Sequence, residues 1–171
     1  MNDSRFTIHD SRVGIGYDSH RFTPGGPLIL GGISIPIDFS LAGHSDGDAV
    51  AHAVTDAVLG AAALGDIGEM FPDTDPENRG ANSMEMLRAA VARVHRAGYT
   101  VVNADVVVIA ETPNISPYRH AMRAELAEAL SVSLTDVSVK GKTNERMGWV
   151  GRGEGLACLA TVSIARGSPR A

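Results

Sequence analysis

Val13-Gly14-Ile15-Gly16-Tyr17-Asp18-Ser19-His20-Arg21-Phe22 decides how the rest of the chain is read. Taken as an extended strand over residues 13–22, it turns Asp18 and His20 to the same side, because residues i and i+2 share a face. A third ligand must come from elsewhere, and His52 suits that role. Asp48, His52 and Asp56 recur at i, i+4 and i+8, which stacks them along one face of a helix. Either Asp48 or Asp56 can then hold the second imidazole nitrogen of His52. One carboxylate and two imidazoles suit a divalent metal, zinc foremost, with one coordination position open, so the set reads as catalytic. On residue type and spacing alone, the same residues also fit two solvent-facing strand positions and one satisfied helical histidine. Gly14-x-Gly16 lacks the third glycine of the dinucleotide fingerprint, which argues against a Rossmann fold.

Outward from that strand, Leu28-Ile29-Leu30 and Ile33-Ser34-Ile35 flank Gly31-Gly32, a dipeptide suited to a tight hairpin turn, and Pro36 limits further pairing. A helix is expected from Ser45 or Asp46 through Leu64, with Val50, Val54, Val58 and Leu59 on its core face. Gly65-Asp66-Ile67-Gly68 ends it. Residues 71–80 carry no usable period and form a loop able to close over a site. A second helix is framed by Asn82 or Ser83 as N-cap and by Gly98 just past its end, with Met84, Leu87, Val91 and Val94 inward. Residues 99–110 return to a strand. A third helix has Ser116 as cap and Pro117 at its first position, and residues 137–140 and 156–165 supply the last strands. The predicted fold is α+β, a single domain with one sheet and helices packed on one face.

At 171 residues with 44% hydrophobic content, the chain suits one compact domain. A net charge of -5 argues against a nucleic-acid or anionic-membrane surface. The single cysteine, Cys158, excludes an internal disulfide and lies in an apolar run where a buried, inert thiol is expected. The opening residues lack an apolar signal region, and no run of about 18 apolar residues is free of charge. The expectation is no membrane span, no export and a cytoplasmic location.

Three loops carry anion-binding chemistry. His44-Ser45-Asp46-Gly47 precedes a helix, where free amides and the dipole attract phosphate, although its acids also cap those amides. Lys140-Gly141-Lys142-Thr143-Asn144-Glu145 joins cations, a hydroxyl and a carboxylate, as a diphosphate with its own magnesium needs, although alone it also fits a solvated hairpin. Gly151-Arg152-Gly153-Glu154-Gly155 is a flexible turn with one guanidinium and one acid, a pattern that a plain turn also gives.

Taken in order, Gly14 through His20, His44-Ser45-Asp46-Gly47-Asp48 with His52, Gly65 through Gly68, Phe71-Pro72-Asp73-Thr74-Asp75 and Gly151 through Gly155 closely resemble the 2-C-methyl-D-erythritol 2,4-cyclodiphosphate synthase family of the non-mevalonate isoprenoid pathway. The likeness covers residues 12–166, leaving 1–11 and 167–171 as loose termini. It implies cyclisation of 4-diphosphocytidyl-2-C-methyl-D-erythritol 2-phosphate with release of CMP. It further implies zinc on Asp18, His20 and His52, and magnesium or manganese on Glu145 with the substrate diphosphate. His44 and Thr143 would stabilise the transition state, and Ser45 would add phosphate contacts. Substrate contacts would also come from Asp18, Ser19, His20, Asp66, Ile67, Gly68, Phe71, Pro72, Asp73, Thr74, Asp75, Lys142, Asn144, Trp149 and Arg152. Cytosine would be read by the loop of Ala110, Glu111, Thr112, Pro113, Asn114, Ile115 and Ser116.

The resemblance implies a homotrimer with active sites between subunits. Lys142 and Asn144 stand where the family commonly has threonine, adding charge beside the diphosphate. Tyr17 stands where a phenylalanine lines the trimer's central cavity, which bears on isoprenoid-diphosphate binding there, near Arg152 and Glu154. Two rivals are a zinc hydrolase using the same three ligands with a metal-bound hydroxide, and a non-catalytic trimeric nucleotide binder.

Overall fold

A computed structural model describes residues 11–167. The first strand, β1 (Ser11–Pro24), is longer than predicted at both ends. It is followed by the hairpin β2 (Leu28–Leu30) and β3 (Ile33–Ile35), and by β4 (Phe39–Leu41). The helix α1 (Ala49–Ala62), the single turn α2 (Ile67–Met70) and α3 (Ser83–Arg96) come next. The remaining elements are β5 (Tyr99–Ile109), α4 (Arg119–Leu130), β6 (Val137–Lys142), the single turn α5 (Gly148–Gly151) and β7 (Gly155–Arg166). The main sheet has the order β4-β1-β7-β5-β6. Only β5 and β6 run parallel, so the sheet is mixed. Helices cover one face, as the α+β reading expects.

α1 lies against β1 and β7 because β1 removes its own side chains at the contact. A Cβ on Gly14 would stand 2.0 Å from the Ala57 carbonyl oxygen, and one on Gly16 would stand 1.9 Å from that of Ala53. The two glycines therefore serve close helix packing, not a nucleotide turn. Val50, Val54, Val58 and Leu59 of α1 are fully buried, as are Leu87 and Val94 of α3, with Met84 and Val91 nearly so. The opposite face of β1 is bare: Val13, Ile15 and Tyr17 are 73%, 66% and 56% exposed.

Several predicted boundaries move. α1 begins at Ala49, not at Ser45 or Asp46, because Gly47 takes a left-handed φ of 75° and Asp48 becomes the cap. Ala63 then ends the helix in the left-handed region, before Leu64. α4 starts at Arg119, not at Pro117, because residues 115–118 form a turn closed by the Tyr118 amide on the Ile115 carbonyl. β4 was not anticipated after Pro36, yet it pairs Leu41 with Phe22 and Phe39 with Pro24. β6 runs on to Lys142, so the 140–145 segment continues a strand before turning. The expected loose termini lie outside the described residues, apart from Ser11, which opens β1, and Gly167, whose amide bonds the Gly98 carbonyl.

Candidate metal centre and substrate site

Alternation along β1 turns Asp18 and His20 to the helix-covered face, where α1 presents His52. Asp18 Oδ2 lies 2.9 Å from His20 Nε2 and 2.9 Å from His52 Nδ1, and the two nitrogens are 3.4 Å apart. All three ligand atoms fall within 4.8 Å of one another, so they can hold one metal ion, and among the described residues no other such group of His, Cys, Asp or Glu occurs. Burial opposes ionisation of the Asp18 carboxyl, but hydrogen bonds from His20 and His52 and their charge outweigh it and hold its pKa far below the ordinary range. The Asp18 hydrogen bond likewise raises His20 above its usual value, against its burial. A carboxylate kept ionised between two imidazoles is a donor set that fits zinc.

The outer contacts fix both rings. His20 Nδ1 donates to the Ala42 carbonyl at 2.6 Å, which leaves Nε2 as the ligand atom. His52 Nε2 does not meet Asp48 or Asp56, contrary to the sequence reading; it meets Ser83 Oγ at 2.9 Å and Ser45 Oγ at 3.0 Å. Ser83, fully buried at the start of α3, donates in turn to Asp46 Oδ1. Asp48 instead turns under the helix, where its carboxylate accepts the amides of Gly31, Gly32, Val50 and Ala51. Asp56 accepts the Ile67 amide and so fixes α2. Helix periodicity gave the right face for His52 but misassigned its support, because serine partners from another helix leave no local spacing signal. Of the two readings of residues 44–47, the structure shows amide capping: Asp48 accepts the Val50 and Ala51 amides of α1, and Ser45 Oγ accepts the Gly47 amide.

A cavity of about 380 Å³ opens over the triad, lined by His44, Ser45, Ile67, Gly68, Phe71 and Asp73 among others. Beside it Asp73, Thr74, Asp75, Pro76 and Arg79 line a further cleft with His44. His44 Nε2 and Asp73 Oδ2 stand 3.9 Å apart at its exposed mouth. Asp66 caps α2 through the Glu69 amide, and the Pro72 carbonyl accepts from Asn78. Ser19 and Trp149 share a shallow pocket with His20, Arg21 and Glu154, while Arg152 pairs with Glu154.

The remaining candidates form a second, separate group. Ala110, Glu111, Pro113, Asn114, Ile115, Ser116, Lys142 and Thr143 line a cavity of about 160 Å³, with Thr112 joined to Pro113 through a cis peptide. Thr143 Oγ1 donates to Glu145 Oε1 at 2.7 Å, and Glu111 Oε1 accepts the amides of Asn144 and Arg146. No lining residue is common to this cavity and the one over the triad. Sheet register explains the gap: Asp18 faces Cys158, Cys158 faces Val108, and Val108 faces Gly141, three strand steps or roughly 14 Å. Cys158 is fully buried and burial drives its thiol pKa up, the inert state expected of it.

Fold and site together define a metal-dependent enzyme of the α+β class. A profile of the YgbB family matches residues 11–165, and the chain belongs to that family. It is 64% identical over 153 residues to the 2-C-methyl-D-erythritol 2,4-cyclodiphosphate synthase of Gemmatimonas aurantiaca, covering 90% of this chain and 92% of that protein. The synthase of Laribacter hongkongensis is 57% identical over 149 residues, covering 87% and 92%. Among solved structures, the bifunctional IspDF of Campylobacter jejuni superposes with a TM-score of 0.90 at 41% identity, covering 93% of this chain and 43% of that one. The CDP complex of Plasmodium falciparum IspF gives 0.82 at 32% identity, covering 95% and 100%.

Proposed function

We infer that this chain converts 4-diphosphocytidyl-2-C-methyl-D-erythritol 2-phosphate to 2-C-methyl-D-erythritol 2,4-cyclodiphosphate with release of CMP, a step of non-mevalonate isoprenoid precursor synthesis. The observation that carries this is the convergence of Asp18, His20 and His52 beneath an open cavity rimmed by His44 and Asp73. An oxygen of the 2-phosphate forms a bond to the diphosphate phosphorus farther from cytidine, and the bond from that phosphorus to CMP breaks. The attacking phosphate has a second pKa near roughly 6, so it is largely dianionic at neutral pH and needs no general base. Zinc on Asp18, His20 and His52, with magnesium or manganese on Glu145, would supply the positive charge that offsets repulsion between the phosphates in an in-line displacement.

The chain's own groups would do the rest. His44, exposed at the mouth of the triad cavity, and Thr143, beside Glu145, would donate to the charge that builds on the transferred phosphoryl oxygens. Ser45 would add phosphate contacts, while Asp66, Ile67, Gly68, Phe71, Pro72, Asp73, Thr74 and Asp75 would surround the erythritol and ribose. Residues 110–116 would take the cytosine, where backbone groups can read the edge of the base. Lys142 and Asn144 would flank the diphosphate, with Ser19, Trp149 and Arg152 at the periphery.

A homotrimer completes this reading. One chain holds the metal triad and the base-binding loop in separate cavities, and its sheet exposes Val13, Ile15 and Tyr17 on the uncovered face. Assembly about a three-fold axis would cover that face and bring the triad of one chain to the Glu145 half of its neighbour. An isoprenoid diphosphate would fit the resulting central cavity near Arg152 and Glu154, with Tyr17 lining it. The synthase unit would span residues 12–166 and work in the cytoplasm. No described helix is long and apolar enough to cross a membrane.

Phosphorus NMR of the purified protein with the diphosphocytidyl substrate tests the reaction: a cyclic diphosphate with stoichiometric CMP is expected, whereas inorganic phosphate or a linear product would show a hydrolase. Glu145→Gln separates the metals. It should retain zinc and CMP binding while losing most turnover, and unchanged cyclisation at ordinary magnesium would refute the second-metal role.

A further inference from the structure

Glu111 joins two segments that the reaction uses separately. It lies two residues past the end of β5, directly after Ala110, whose amide is fixed to the Lys142 carbonyl at 2.9 Å. One side-chain oxygen, Oε1, accepts the Asn144 amide and the Arg146 amide, both at 3.0 Å. These two amides straddle Glu145. Glu145 and Arg146 are themselves at φ of 51° and 60°, two successive non-glycine residues in the left-handed region. That conformation is disfavoured for L-residues and persists only where surrounding contacts over-determine it. Asn144 adds one such contact on the far side, through the Met147 carbonyl, but on the side of the base-binding loop the single carboxylate of Glu111 holds the turn. The same residue lines the cavity of residues 110–116. A ligand that orders this cavity therefore bears on the carboxylate that shapes the Glu145 turn.

We propose that Glu111 is a positioning residue that couples the base-binding loop to the Glu145 loop, so that a pyrimidine nucleoside in the cavity tightens divalent-cation binding at Glu145. This rests on the reading that Glu145 holds the second cation. Coupling of this kind is reciprocal, so the cation tightens nucleoside binding by the same factor. Neither oxygen-to-amide contact calls for a negative charge, and the side-chain carbonyl of glutamine can accept both amides.

The test uses the full-length, zinc-loaded protein, Mn2+ as the cation and cytidine as the nucleoside. Cytidine brings no phosphate that could itself ligate the metal. Free Mn2+ is followed by electron paramagnetic resonance. Saturating cytidine should tighten Mn2+ binding by about 5-fold or more, at the lower end of typical allosteric couplings. Glu111→Ala should abolish that gain while zinc content and the unfolding midpoint hold. Glu111→Asp, one methylene too short to reach both amides, should do the same and serves if the alanine variant fails to fold. Glu111→Gln should restore the gain. Wild-type coupling in the alanine or aspartate variant overturns the proposal, as does its loss in the glutamine variant, which would point to charge instead of positioning. Glu145→Gln is the control: if it leaves Mn2+ affinity intact, the Glu145 reading itself is wrong and the coupling falls with it. If it removes Mn2+ binding while Glu111→Ala changes nothing, only the role of Glu111 is overturned.

Discussion

Ser83 Oγ lies 2.9 Å from Nε2 of His52, the ring nitrogen turned away from the metal position, and donates its own hydrogen bond to Asp46. The imidazole is thereby locked with Nδ1 toward Asp18 and His20. A ligand on one helix is thus oriented by a hydroxyl on another. Ser83→Ala should lower zinc affinity by about 10- to 100-fold, the usual effect of losing an outer partner, with little loss of helix content. Competition with a chromophoric chelator measures it, and wild-type affinity would reduce Ser83 to a packing role.

Gly16→Ala should separate helix from strand. The new Cβ meets the Ala53 carbonyl at 1.9 Å, a backbone atom that cannot rotate away. We expect a loss of about 1–3 kcal/mol or more from overpacking, read by urea denaturation. Zinc retention should fall in parallel, since α1 carries His52. A stable variant that keeps its zinc would show that the contact relaxes without moving the site.

Ile15→Glu tests the uncovered face. Ile15 lies on the side of β1 opposite Asp18, so the triad should keep its metal while light scattering falls from three chain masses to one. Turnover should disappear with the trimer. A monomer of full activity would contradict a site shared between chains.

A pH dependence follows from Lys140 and Asp105, paired at 2.6 Å on that same face. Burial opposes ionisation of Asp105, but hydrogen bonds from Lys140 and Ser138 and the charge of Lys140 outweigh it and depress the carboxyl pKa. A depressed carboxyl stabilises the fold fully above its unfolded pKa of about 4, and that contribution is lost as pH falls through the folded value. Lys140→Met should therefore cost stability at pH 7 and cost less as the pH drops below about 4. Equal deficits at both pH values, measured by denaturant midpoints, would remove the pair as the cause.

Local pattern made much of the architecture legible. Period-two alternation in residues 13–22 put Asp18 with His20, apolar spacing gave the buried faces of α1 and α3, and Gly31-Gly32 marked the hairpin. Helix starts were less legible at Ser45 and Pro117, where a left-handed glycine and a turn delayed α1 and α4. β4 was missed because three residues carry too little pattern to stand out, and its pairing with β1 is non-local.

Residue chemistry along the chain determined the donor set, the helix face of His52 and the family, because ligand type, period and motif order are all written locally. Tertiary structure alone decided what holds that set in place. Asp48 matched the helical period of His52, yet it was drawn under α1 by four amides, two of them from the distant Gly31-Gly32 turn. Ser83 took the place expected of an aspartate, and Glu111 reached across to the Glu145 turn from the loop after β5. The contacts of Asp48 with Gly31 and Gly32, of Ser83 with His52 and of Glu111 with Asn144 each join residues 16 or more positions apart, and only the packing of helices on the sheet and the pairing of its strands bring their atoms within hydrogen-bond reach.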